Sequence, residues 1–177
     1  MKYASRDCEL EAVLHTAQQM CAAIRTAPKA KGVDHLRTCV LTGAEKNALA
    51  DKMEELAEPL KYGFFIRDAN NVRQSDAVVL VGAVLSTRGL NDGCQYCGFQ
   101  NCAACITAGG TCAYEHIDLG IAVGSAVALA ADARIDSRVM FSIGRAAMEL
   151  GLPDAEARSV MGIPLSVSGK SPFFDRK

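Results

Sequence analysis

Ala77-Val78-Val79-Leu80-Val81-Gly82-Ala83-Val84 is an uninterrupted apolar run, and Cys94-Gln95-Tyr96-Cys97-Gly98-Phe99-Gln100-Asn101-Cys102-Ala103-Ala104-Cys105 follows shortly after it. A continuous, β-branched apolar stretch of this length reads as a central strand covered on both faces. The cysteine-rich segment leaves the carboxyl end of that strand, the edge where ligands tend to sit when helices cover a sheet.

Working toward the amino terminus, Phe64–Ile66 reads as a short strand, with Asp68-Ala69-Asn70-Asn71 as a turn that starts a helical segment. Thr42-x-x-Glu45 is a capping-box signature for a helix with the stripe Leu49, Met53, Leu56 and Leu60. Leu36–Leu41 reads as a strand. Leu10, Val13, Leu14, Ala17, Cys21 and Ile24 recur at helical spacing, with His15 on the opposite, solvated face, and Pro28 ends that helix.

Toward the carboxyl end, Ile117–Ala131 is apolar almost all round and predicts a fully buried helix. Its Gly120 and Gly124 predict a smooth groove for close backbone packing. Ile143, Ala146, Ala147 and Leu150 mark a last amphipathic helix stopped by Gly151, and Ser159–Val167 holds a final strand. In the polar tail, the adjacent Phe173 and Phe174 need a surface to bury against, on this subunit or a partner. No repeat, linker or internal boundary interrupts the chain, which is read as one domain, 1–177, with the cysteine-rich loop at 86–115.

With 177 residues, the chain buries about two-thirds of its unfolded surface. Half of the residues are hydrophobic and 22% charged, and 19 basic residues nearly cancel 20 acidic ones. A net charge of -1 gives no global field for a phosphate backbone, so nucleic-acid binding is not expected. No apolar run is long enough for a membrane span, and the first residues lack the apolar stretch of a secretion signal. A soluble, cytoplasmic protein is expected.

The eight cysteines divide into two groups. Cys8, Cys21 and Cys39 are scattered through apolar patterns and read as small buried hydrophobes. The other five follow C-x2-C-x4-C-x2-C-x6-C, from Cys94 to Cys112, in a segment rich in glycine and polar residues. A disulfide scaffold belongs to small secreted chains with too little core, and this chain fits neither condition. A metal centre needs several thiolates at one point, which a loop supplies only if it turns tightly, as Gly93 and Gly98 permit. Tyr96 and Phe99 would screen such a site from water. Spacing leaves two centres open: zinc on four thiolates, or an iron–sulfur cluster.

Cys94-x2-Cys97-Gly98-Phe99-x2-Cys102 resembles the core of the small [4Fe–4S] domain of some membrane electron-transport and corrinoid iron–sulfur subunits. The resemblance implies Cys94, Cys97 and Cys102 as ligands with a more distant fourth, taken as Cys112; Cys105 is the alternative, suited to a tight zinc-like closure. The chain as a whole is similar to a family of uncharacterised bacterial and archaeal proteins described as containing a ferredoxin domain. That likeness rests on Arg25-Thr26-Ala27-Pro28-Lys29-Ala30-Lys31-Gly32, the cysteine loop, Asp118-Leu119-Gly120-Ile121-Ala122-x-Gly124-Ser125-Ala126, Gly162-Ile163-Pro164-Leu165-Ser166 and Phe173-Phe174-Asp175-Arg176.

Ala27-Pro28-x-Ala30 and Gly162-Ile163-Pro164 also resemble motifs of FMN-dependent nitroreductases. This implies an α+β, nitroreductase-like fold: a mixed β-sheet covered by helices, with the cysteine-rich loop inserted after the central strand. It also implies a homodimer whose tails embrace the partner, with FMN at the interface and Arg25, Lys29 and Lys31 near its phosphate. The arginine–serine–x–arginine and N-x-Q-P-W motifs of those enzymes are absent, and Lys31-Gly32-Val33-Asp34-His35 stands where the second would lie.

Other candidates carry less. Asp118 reads as a capping carboxylate, and His116 as an outer partner of the cysteine loop. Ser166, Ser168, Gly169 and Lys170 would suit phosphate, but no Walker or G-x-G-x-x-G pattern surrounds them. No Ser/His/Asp or Cys/His set argues for hydrolysis. The expectation is an iron–sulfur redox protein, and an oxidoreductase if flavin is bound, with a donor and acceptor that the sequence does not name. The alternative is a zinc-stabilised binding or scaffold protein without redox turnover.

Overall fold

A computed structural model describes residues 1–174. Asp175, Arg176 and Lys177, which close the tail quoted above, lie outside the described residues.

Helices α1 (Ser5–Thr26), α2 (Gly43–Ala57), α3 (Phe64–Gln74), α4 (Cys102–Thr107), α5 (Ala113–Asp132) and α6 (Phe141–Glu149) surround a sheet of β1 (Leu36–Leu41), β2 (Ala77–Val84), β3 (Asp136–Ser137) and β4 (Ala157–Ser166). The sheet order is β1-β2-β4-β3. Side chains alternate across β2. Ala77, Val79, Val81 and Ala83 face a core built on α1 and α5, while Val78 and Leu80 face one built on α2, α3 and α6. With both faces covered, an uninterrupted apolar run is what the inner strand requires, as the sequence predicts.

The α+β architecture matches expectation, with one correction of detail. The sheet is not mixed, since every pairing among the described strands is antiparallel, including Cys39 opposite Leu80 and Val79 opposite Ile163. Two helices, α2 and α3, lie between β1 and β2, so the chain returns to the edge it left and enters the next strand in the opposite direction.

Three further expectations are corrected. Phe64–Ile66 is the first turn of α3, because Phe65, Ala69 and Val72 repeat at helical spacing and bury together against β2 and α6. A short apolar run cannot separate strand from helix by periodicity alone. Thr42 precedes α2 as expected, but its hydroxyl makes no capping bond. Helix α5 is buried along one face, through Glu115, Asp118, Leu119, Ala122, Ala126 and Ala130; Ile117 and Ile121 are 40% and 43% exposed. Gly120 and Gly124 face open space, so the groove they form packs against nothing among the described residues.

The closest approach lies elsewhere. A Cβ at Gly144 on α6 would overlap the Val160 carbonyl of β4, and one at Gly162 would overlap Ile143. These two glycines let α6 lie directly on the strand. In the tail, Phe173 is buried on the α2/α3/α6 side, while Phe174 is exposed beneath the Arg138 guanidinium, 5.2 Å from its ring centre. Cys8 is exposed, a correction to its reading as a buried hydrophobe, because it lies near the free start of α1. Cys21 and Cys39 are half-buried.

Candidate redox centre

The cysteine loop is assembled by local backbone geometry. Asn91 (φ 51°), Gln95 (φ 54°) and Gly98 (φ 79°) lie in the left-handed region, and the Cys94 and Gly98 amides donate to the Asn91 and Gln95 carbonyls. The chain therefore doubles back twice within a few residues. Asn101 then accepts from the Ala104 amide at 2.9 Å and caps α4, placing Cys102 at its first position. Cys112 is the N-cap residue of α5.

These turns bring Cys94, Cys97, Cys102 and Cys112 to the wall of one cavity, together with Phe99, Asn101, Tyr114 and Arg88. Cys105 is absent from that wall. It lies 1% exposed behind it, against Cys97, where a Cβ on Gly110 would come within 3.1 Å of its sulfur and 2.5 Å of the Phe99 ring. Burial pushes its thiol up from the ordinary value, and the neighbouring thiols add to the effect. Among the described residues, no three His, Cys, Asp or Glu side chains are grouped closely enough to hold a metal ion. Tyr114 stacks on the exposed Tyr96 with ring centres 5.6 Å apart and planes 10° apart.

A charged cluster lies against the cavity, and the sequence offers no motif that would have found it. Arg88 is only 4% exposed. Its Nη1 donates to Glu115 Oε1 at 2.8 Å, and its Nη2 donates to Glu115 Oε2 at 3.1 Å and Asp118 Oδ2 at 2.7 Å. Glu115 is fully buried. Nδ1 of the half-buried His35 lies 2.9 Å from Glu115 Oε1 and 2.7 Å from Arg88 Nη1, so one tautomer serves one of them at a time. Asp118 also accepts from the Ala30 amide, at 3.1 and 3.2 Å from its two oxygens. It therefore anchors the turn after α1 instead of capping its own helix. The only signal available in the sequence was the spacing of Glu115 and Asp118, which places them on one helix face.

The remaining candidates are dispersed. Lys29 places its ammonium on the Ile24, Arg25 and Ala27 carbonyls, at 2.7–2.8 Å, closing the end of α1. Arg25 pairs with Asp34, and Lys31 is exposed. His116 lies outside the cavity wall, with Nε2 2.9 Å from Ser159 Oγ. Ser166, Ser168 and Lys170 line a separate polar pocket with Asn71 and Gln74.

Residues 108–176 match a family described as "Uncharacterized protein containing a ferredoxin domain (DUF2148)". A protein of Archaeoglobus fulgidus is 45% identical over 97% of this chain and 95% of its own length. In structure the chain is similar to a nitroreductase of Desulfovibrio desulfuricans solved with FMN, with TM-score 0.57, 14% identity, and 92% and 78% of the two chains covered. It is also similar to the nitroreductase CinD of Lactococcus lactis, solved with nicotinic acid, with TM-score 0.57, 17% identity, and 93% and 84% covered. At such identities the structural likeness concerns the fold alone. By its close archaeal relative and its family match, the chain belongs to the family of uncharacterised proteins containing a ferredoxin domain.

Proposed function

We propose that the protein is an iron–sulfur redox protein holding one [4Fe–4S] cluster on Cys94, Cys97, Cys102 and Cys112. The observation that carries this reading is the shared cavity: four thiols from the loop and the start of α5 line one space, while Cys105 lies behind it. The donor set fits, because soft thiolates select iron–sulfur centres or zinc, and a wall of Phe99, Tyr114 and Leu90 supplies the low-polarity surround. A bound cluster supplies one-electron transfer. Cys112 would hold its charge at the start of α5, and the Tyr96–Tyr114 stack would keep water from the sulfurs.

Anaerobic purification and reconstitution with ferrous iron and sulfide test this. Iron and sulfide in the proportions of one cluster, with an EPR signal on reduction, are expected. A colourless protein that takes up zinc in preference to iron overturns the proposal in favour of the structural alternative, in which zinc staples the loop and Cys105 is the fourth ligand.

The homodimer belongs to the same proposal. Exposed Ile117, Gly120, Ile121 and Gly124 form an apolar, small-residue face on α5 that a second copy would cover. For FMN, Lys29 is already engaged with the α1 carbonyls and the exposed Arg25 is paired with Asp34. The donor set does not fit a flavin phosphate, so no step is assigned to flavin; a yellow chromophore released on denaturation would support one. No helix among the described residues is long and apolar enough to cross a membrane. All eight cysteines are free thiols, which supports a reducing, cytoplasmic setting.

A further inference from the structure

Arginine carries five N–H donors in a rigid fork and stays protonated in proteins. At Arg88 the two terminal nitrogens are engaged by Glu115, Asp118 and His35, so the guanidinium is fixed from one side. The remaining donor, Nε–H, is buried and without a partner. An unsatisfied buried donor is costly and calls for an explanation. Arg88 also lines the cavity that holds Cys94, Cys97, Cys102 and Cys112. An acceptor at that position is what the arrangement lacks, and sulfur carrying negative charge is the acceptor chemistry the cavity is built to hold.

We infer that Arg88 is a positioning residue for the redox centre, donating its Nε–H to a sulfur of the bound cluster and holding a fixed positive charge beside it. This inference rests on the cluster reading above. Reduction by an external one-electron donor adds one negative charge to the cluster. The N–H···S bond therefore stabilises the reduced state more than the oxidised one and raises the potential. Glu115 and Asp118 act through Arg88: they hold the fork in register and compensate its burial, without facing the cluster themselves. A guanidinium pinned by two carboxylates does not reorganise when the electron arrives, which is the arrangement that makes an electrostatic contribution effective.

The test uses the whole, reconstituted protein reduced with dithionite. Arg88→Lys keeps a positive charge but removes the fork and the Nε–H. At a fixed ambient potential its ratio of reduced to oxidised cluster is expected to fall about tenfold, equivalent to ~59 mV for one electron. Iron and sulfide contents should match the wild type. Because a variant of a buried arginine can fail to fold, the second measurement needs none. Wild-type protein grown with 15N-labelled arginine is expected to show an arginine nitrogen hyperfine coupling in the pulsed EPR spectrum of the reduced cluster. A full cluster with no such coupling, or an unshifted ratio in a fully loaded Arg88→Lys protein, overturns the role of Arg88 alone. A wild type that takes up no iron and sulfide overturns the cluster reading, and this inference with it.

Discussion

Cys105→Ser and Cys112→Ser should have opposite consequences, and the structure gives the reason for each. Cys105 is 1% exposed, packed against Phe99 and Gly110 behind the cavity. A serine there places a hydroxyl in an apolar setting and costs about 2 kcal/mol. For a chain of this size that lowers the Tm of the metal-free protein by about 4–8 °C. Iron uptake should nevertheless persist, because the four cavity thiols remain. Cys112 occupies the N-cap of α5, with extended backbone (φ -62°, ψ 126°) and no side-chain capping bond. Serine is among the best residues at that position, so Cys112→Ser should leave the metal-free Tm unchanged or raise it, by up to about 1 kcal/mol of stability. Its iron uptake should be lost. Differential scanning fluorimetry of both metal-free variants, with iron and sulfide assays after reconstitution, gives the four numbers needed. A Cys105→Ser protein that loses its cluster beside a Cys112→Ser protein that keeps it would refute the assignment of the fourth ligand.

Other outcomes follow from the same geometry. Glu115→Gln removes the carboxylate that engages both arms of Arg88, leaving a buried cation on Asp118 alone; a loss of about 3 kcal/mol is expected in urea unfolding of the metal-free protein. Gly144→Ala forces a methyl group into the Val160 carbonyl and should cost about 3 kcal/mol, read as a lower urea midpoint at unchanged slope. Ile121→Glu on the exposed face of α5 should convert the proposed dimer to a monomer by sedimentation while leaving iron content intact. Burial pushes the Cys39 thiol up to about 11 from its ordinary 9.0, with Cys21 and Glu45 nearby adding to the shift. Between those values the unfolded chain has lost a proton that the native chain keeps, so this contribution to stability falls as pH rises through that window. Iodoacetamide at pH 8 should accordingly label the exposed Cys8 and spare Cys39, which mass mapping would check.

Much of the architecture could be read from pattern because it rests on local regularities. The apolar run Ala77–Val84 became β2 with the boundaries expected of it, and the stripe Leu49, Met53 on α2 faces the core as its spacing required. Such signals survive because alternation and helical periodicity are properties of neighbouring residues. Phe64–Ile66 failed for the converse reason: three apolar residues satisfy either period, and the contacts of Phe65 with distant elements made the choice. The cysteine spacing marked a thiol-rich centre, but it could not tell Cys105 from Cys112. That distinction depends on where α4 and α5 begin, and on Gly110 leaving room for the Phe99 ring above the Cys105 sulfur.

The charged cluster was out of reach altogether. His35, Arg88 and Glu115 are separated by tens of residues and belong to no recurring motif, yet they meet within hydrogen-bond distance beside the thiols. Residue types and short spacings were enough to mark a sulfur-rich loop after an inner strand, because thiolate chemistry and strand burial are local properties. Which sulfurs share a space, and which cation stands beside them, depends on the packing of helices far apart in the chain, since a buried charge becomes tolerable only where folding brings its counter-charges together.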